Sequence, residues 1–232
     1  FRRVLFRSKT KYAFLMTKAD LHIHTDFSYD GISSPEQVVD SAIKKGIRCI
    51  CITDHQETKG AFRALKYSFD KNILVVPGIE VSAKAGDVVG INVKKKIPAG
   101  LSVKETIKEI RKQGGLAVMV HPFDIMPFGL QGGKETLKRV DFDALEVFNA
   151  GCILKRSTKK ALDFALKKDL AFTAGSDAHR ARYVGRGYLE FKENISSAKE
   201  LINLIKGKKG SFKGRPLNLA EVFWNCTGAN IF

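Results

Sequence analysis

The chain has 232 residues, 44% of them hydrophobic, enough for one domain with a sizeable core. No apolar run nears the roughly 20 residues that span a bilayer, and no secretory pattern follows the basic N-terminus, so a cytoplasmic protein with no membrane span is expected. The net charge of +16 suits lysine-rich solvated faces, or attraction of nucleic acid and phosphorylated substrates.

The basic clusters at 94–96 and 206–215 lack the interleaved aromatics of a single-strand stacking platform. Residues 1–8, FRRVLFRS, look like a translated sequencing adapter, and Met16 reads as the natural start. Residues 1–15 are therefore expected to be a non-native or disordered leader. They hold five basic and no acidic side chains, and the remainder stays basic.

From residue 19 onward, strand-like and helix-like runs alternate. ADLHIH (19–24) reads as a strand. SPEQVVDSAIKKG (34–46) reads as a helix, with Ser34 as N-cap, Pro35 at the first position and Gly46 as the stop. IRCICITDH (47–55) is a nearly continuous apolar run of the buried parallel-sheet kind. Cys49 and Cys51 alternate in it and share one face; with no C-x-x-C pair they read as small core hydrophobes in a reducing compartment. TKGAFRALKYSFDK (58–71) is helical, and ILVVPGIEVSA (73–83) and DVVGINV (87–93) are strands. SVKETIKEIRKQGG (102–115) is a helix with a Ser102–Glu105 capping box. LAVMVHP (116–122), ALEVFN (144–149) and AFTAGSDAH (171–179) continue the strands, with a helix over 156–169. The end reads as GYLEFK (187–192) and a helix over 196–210. HPFDIMPFGLQGGKET (121–136) reads as a long loop, and its Met and Phe residues form either an apolar wall for a base or sugar or a local mini-core. This alternation predicts an α/β fold with a parallel sheet, open or closed into a barrel.

The five histidines all fall at strand ends. His22 and His24 end the first strand, His55 the second, His121 the LAVMV strand and His179 the AFTAG strand; Glu80 ends ILVVPGIE. The carboxyl ends of parallel strands converge on one face, where such folds place their chemistry. His22 and His24 are two apart, so both point to one side and can bite a single metal ion. Asp30, Asp54 and Asp177 lie beside them. Five histidines and several carboxylates exceed what one four-coordinate ion uses, so two or three divalent ions (Mn, Zn or Fe) are expected. Such clusters activate water and clamp the oxygens of a displacement at phosphorus.

DLHIHTDFSYDG, ITDH, GIEVS, VHP and GSDAH, in this order and spacing, resemble the PHP (polymerase and histidinol phosphatase) metal-dependent phosphoesterases over about residues 19–179. The stretch from GRGYLEF to KELINLIKGKKG resembles the PHP-associated C-terminal segment of stand-alone members. The resemblance implies a distorted seven-stranded (β/α) barrel over 16–192, with a trinuclear site at the carboxyl ends of its strands. The C-terminal segment, 193–232, would pack on the barrel. His22, His24, Glu80 and Asp177 would hold one ion. Glu80 would bridge to a second, also held by His121. Asp30, His55 and His179 would hold the third. Asp20 and Asp54 would orient histidines through their other ring nitrogen. Two departures stand out. Tyr29 places Asp30 one residue later than in the common form, and AGDVVG stands where many relatives carry a histidine, so Asp87 substitutes there or the second ion is weaker or missing.

The expected function is hydrolysis of a phosphate ester by metal-activated water, with Glu80, Asp177 and His179 at the reacting centre. The substrate would be a nucleotide, a short oligonucleotide or a sugar phosphate. Arg180 and Arg186, just past the last motif, and Lys59 are the candidates to grip a phosphate. A nuclease or nucleic-acid-repair role and a non-catalytic RNA- or protein-binding module are the alternatives. Amidohydrolase-type C–N hydrolysis is weaker, because no lysine sits at a strand end.

Overall fold

The computed structural model describes residues 16–125, 129–154 and 156–226. The leader expected over 1–15 lies outside the described residues, as do Met126 and Phe128 of the expected loop wall. Strand β1 (Thr17–Ile23) leads to helix α1 (Pro35–Lys44). Ser34 Oγ accepts from Gln37 N, and the Gln37 side chain accepts from Ser34 N, which satisfies two end donors reciprocally. Strand β2 (Cys49–Ile52), helix α2 (Lys59–Tyr67) and strand β3 (Leu74–Ala83) follow.

At β3 the parallel alternation breaks. Only Lys84 and Ala85 separate β3 from β4 (Gly86–Ile91), too few for a crossover, so β4 runs antiparallel to both of its neighbours. Gly86 turns this corner at φ 136°, a conformation closed to most side chains. Then come α3 (Val103–Lys112), capped by Ser102 and Glu105 as expected, β5 (Leu116–Met119), α4 (Gly133–Arg139), β6 (Ala144–Asn149), α5 (Ser157–Lys167) and β7 (Ala171–Gly175). After a 3-10 turn, Ala181–Tyr183, the chain forms β8 (Gly187–Phe191), α6 (Ala198–Lys206), β9 (Ser211–Gly214) and α7 (Leu219–Cys226). Part of the expected loop over 121–136 is therefore helical from Gly133. β9 and α7 were not anticipated: β9 is only four residues long, and α7 leaves Leu219 and Phe223 exposed instead of confining its apolar residues to one buried stripe.

Among the described residues the sheet has nine strands, in the order β7-β6-β5-β4-β3-β2-β1-β8-β9. It curls until the end of β7 meets β1. There His24 N donates to Ala178 O, and Asp177 N to His22 O, both at 2.9 Å. Strands β1 to β7 thus form the expected distorted barrel, nearly closed. β8 and β9 are extra antiparallel strands, with β8 paired to Thr17, Lys18 and Ala19 at the start of β1. One hydrophobic cluster draws on eight strands, including Leu21, Cys49, Cys51, Val76, Val89, Val118, Phe148, Ala174 and Phe191; only the barrel interior can be shared so widely. Two outer clusters seat α3 and α5 on one side of the barrel, and α1 and α2 on the other. Among the described residues no helix is long and apolar enough to cross a membrane.

A bulge in β1 aims the histidines. Asp20 pairs with Ile50 and Ile23 with Ile52, so three steps on β1 oppose two on β2. Below the bulge Ala19 and Leu21 belong to the interior cluster. Above it Ile23 has swung to the outer cluster, which leaves His22 and His24 facing inward. Closure at this level requires a glycine: a Cβ on Gly175 would lie 2.3 Å from His22 Cβ and 2.9 Å from His22 N. Gly175→Ala is therefore expected to lower stability by about 1–3 kcal/mol, read from the urea midpoint at unchanged m-value.

Candidate metal centre

Glu80 sits at the centre of the histidines. Its Oε2 lies 3.1 Å from His22 Nε2, 3.2 Å from His24 Nε2 and 3.7 Å from His55 Nε2. Its Oε1 lies 3.1 Å from His121 Nε2. Asp177 Oδ1 is 3.2 Å from His24 Nε2 and 3.6 Å from His22 Nε2. On the other flank Asp30 Oδ2 is 3.1 Å from His179 Nε2 and 3.4 Å from His55 Nε2. All five histidines and all three carboxylates expected as ligands thus converge, Asp30 included despite the inserted Tyr29.

Their donor atoms form three overlapping groups that could each hold an ion: His24, Asp30, His55 and His179; His22, His24 and Asp177; His22, Glu80 and His121. The partition differs from the expected one: His24 also joins the Asp30 group, Glu80 groups with His121 but not with His24 and Asp177, and His22 joins the Glu80–His121 group. Asp87 is in none of the three, although it lines the pocket beside Glu80 and His121. The residues fit divalent ions on independent grounds. Asp30 Oδ1 is buried without a hydrogen-bond partner, and imidazole with carboxylate is the donor set of Mn, Fe and Zn.

Residues around the cluster fix its rings. Glu146 Oε1 is 3.0 Å from His22 Nδ1, and its Oε2 accepts from His121 N and Asn149 Nδ2. Ser28 Oγ is 3.1 Å from His24 Nδ1 and accepts from His55 N. Asn149 Nδ2 also donates to Asp177 Oδ2. Glu146 was missed by the sequence reading, although a carboxylate in the apolar strand ALEVFN was a visible anomaly. Asp20 and Asp54 do not take the expected role. Asp20 accepts from Ser176 N and Gly185 N, and Asp54 from Thr25 N and Oγ1, so both tie loops together rather than orient imidazoles. The backbone is bent to aim two ligands: His121 has φ 30° and Asp177 φ 52°, both in the left-handed region that side chains rarely adopt.

The pocket over the cluster has a volume of about 290 Å³ and is walled by Tyr29, Asp124, Cys152, Ile153 and Val222 besides the ligands. The three expected phosphate grips are not among its lining residues. Arg186 pairs with Glu221, Arg180 Nε donates to Trp224 O at 2.6 Å, and the Lys59 side chain is exposed at the start of α2.

Burial opposes charge on His24, but hydrogen bonds with Asp177 and Glu80 outweigh it and push its pKa up to about 10. His121, likewise buried, is pushed up to about 9 by Glu80. Burial would raise Glu80 and Asp177, yet the surrounding histidines, His22 foremost, hold both well below the usual carboxylate range. In the metal-free protein His24 and His121 are thus held toward the charged form by Glu80 and Asp177, and these carboxylates by the histidines. The raised histidines stabilise the metal-free fold fully below their ordinary 6.5, and this contribution is lost as pH rises through about 9 to 10. The lowered carboxylates stabilise it above their ordinary 4.5 and 3.8, and this contribution is lost as pH falls. Metal-free protein should therefore melt highest between about pH 4.5 and 6.5 in a pH series. Ions compete with these protons, so Mn²⁺ uptake at pH 7.5 should release protons, visible as a binding enthalpy that varies with buffer ionisation enthalpy. Glu146→Gln should weaken metal affinity by about 10–100-fold in chelator competition, because His22 loses its anionic partner.

Comparisons with known proteins bear on the family and the fold. A family model described as PHP-associated matches residues 155–209. An uncharacterised protein of Methanocaldococcus jannaschii is 33% identical over 219 residues, covering 89% of this chain and 86% of that protein. A Thermotoga maritima protein named "Probable histidinol-phosphatase" is 24% identical over 82% of this chain and 96% of its own length. The crystal structure of a two-domain Bacteroides vulgatus protein containing a predicted PHP-like metal-dependent phosphoesterase superposes with TM-score 0.69 at 20% identity, covering 91% of this chain and 70% of that one, a likeness of fold. With one-third identity to a relative along nearly its whole length, a PHP-associated family model matched over residues 155–209 and the motif set gathered at one barrel mouth, the chain belongs to the PHP family.

Proposed function

We propose that the chain is a metal-dependent phosphoesterase that hydrolyses a phosphate ester of a nucleotide, a short oligonucleotide or a sugar. The observation that carries this reading is Glu80, whose two carboxylate oxygens face different histidines and so link the donor groups on either side. His22, His24, Asp30, His55, Glu80, His121, Asp177 and His179 would hold two or three divalent ions, Mn, Zn or Fe. Such ions, when bound, activate water and neutralise charge developing at phosphorus. The chain's own residues explain why this help is needed. Among the described residues no lysine or arginine lines the pocket, while Asp30, Glu80, Asp87, Asp124 and Asp177 do. A phosphate would be repelled from this wall unless cations intervene. Glu146, Ser28 and Asn149 hold the ligand side chains in place, which keeps the geometry fixed during reaction. Tyr29 stacks on His55 with ring centroids 4.9 Å apart and, with Ile153 and Val222, lines the pocket.

A second reading, a nuclease acting on longer polymers, draws support from the net charge of +16. The test of the main reading is hydrolysis of a generic aryl phosphate by Mn²⁺-loaded protein. Wild type should turn over and be silenced by chelator, and Glu80→Gln and Asp177→Asn should each lose at least about 10³-fold in kcat/KM. Turnover that survives both substitutions would refute the site.

A further inference from the structure

We propose that Asn225, on α7, is a positioning residue that clamps the turn from Asp177 to His179 and so presents His179 Nε2 to a divalent ion. The inference rests on the metal-centre reading and extends it to a helix that carries none of the motifs. Asn225 is 1% exposed. Its Oδ1 accepts from His179 N at 2.9 Å, and its Nδ2 donates to Asp177 O at 2.8 Å. Only this orientation of the amide works, because His179 N can only donate and Asp177 O can only accept.

The clamp acts on a turn with left-handed backbone. Asp177 sits at φ 52°, and a side chain bonded to both ends of the turn opposes its relaxation. The same carbonyl sets the ring. His179 Nδ1 lies 3.0 Å from Asp177 O, so Nδ1 carries the proton and Nε2 is left with its lone pair toward Asp30 and the donor group there. Asn225 Nδ2 also approaches Nδ1 at 3.3 Å, a longer contact than its bond to the carbonyl.

The arginines after the GSDAH motif find their purpose here. Arg186 pairs with Glu221, and Arg180 Nε donates to Trp224 O, so the segment that carries His179 holds the helix that holds His179. Asn218 Oδ1 accepts from Glu221 N at the start of α7, and Leu217 N donates to Ala150 O. Val222, one turn before Asn225, is buried in the pocket wall. The metal centre is therefore completed from outside the barrel by α7.

The test compares wild type, Asn225→Ala and Asn225→Asp, each stripped of metal, checked for fold by circular dichroism and titrated with Co²⁺. The aspartate keeps the acceptor for His179 N but turns a second acceptor onto Asp177 O. Both variants should stay folded, bind one Co²⁺ about 10–100-fold more weakly than wild type with the remaining ions unchanged, and show an altered visible Co²⁺ spectrum. Folded variants with wild-type affinity and spectrum would overturn the proposal. So would loss of the metal-free fold in both variants, which would make Asn225 a structural residue. Wild type that takes up no Co²⁺ would overturn the metal-centre reading itself, a result distinct from either.

Discussion

The structure depends on the burial of Glu80 among four imidazoles, those of His22, His24, His55 and His121. A carboxylate that is 1% exposed would be costly to keep charged without compensation, and here the histidines supply it. Each histidine comes from a different strand end, except the His22–His24 pair, so the barrel must bring four strand ends to one point. The bulge in β1, the glycine at 175 and the left-handed backbone at His121 and Asp177 are the local costs of that convergence. They are tolerated because the interior cluster beneath, shared by eight strands, is rigid enough to hold them.

The same constraint explains the roles of the outer residues. A buried imidazole has two nitrogens, and if one faces an ion the other needs a partner. Glu146, Ser28 and the Asp177 carbonyl meet that need for His22, His24 and His179. Asp20 and Asp54 lie closer in sequence to the histidines, yet they bond to backbone and hydroxyl groups of neighbouring loops. Adjacency along the chain is a poor guide to which nitrogen a carboxylate reaches.

Much of the architecture was legible in the sequence because its signals are local. Ser34 with Gln37 and Ser102 with Glu105 mark helix starts through bonds spanning three residues. The histidines were legible because each closes an apolar run. The direction of β4 was hidden, since it depends on the two-residue link at Lys84 and Ala85 that an apolar pattern does not report. Asn225 was invisible for a different reason: it lies 46 residues from His179, and a lone asparagine in a short helix carries no periodic signature. Arg180 and Arg186 read as phosphate grips from their place just past the GSDAH motif, yet partners on α7 that no sequence spacing reveals bind them instead.

If ions fill the gaps between Glu80, Asp177, Asp30 and the histidines, anomalous diffraction from a crystal loaded with Mn²⁺ will locate them. At least two peaks are expected, one between Glu80 and His121 or His22 and one within reach of Asp30, His55 and His179. Peaks elsewhere, or none at this cluster at saturating Mn²⁺, would contradict the metal-centre reading.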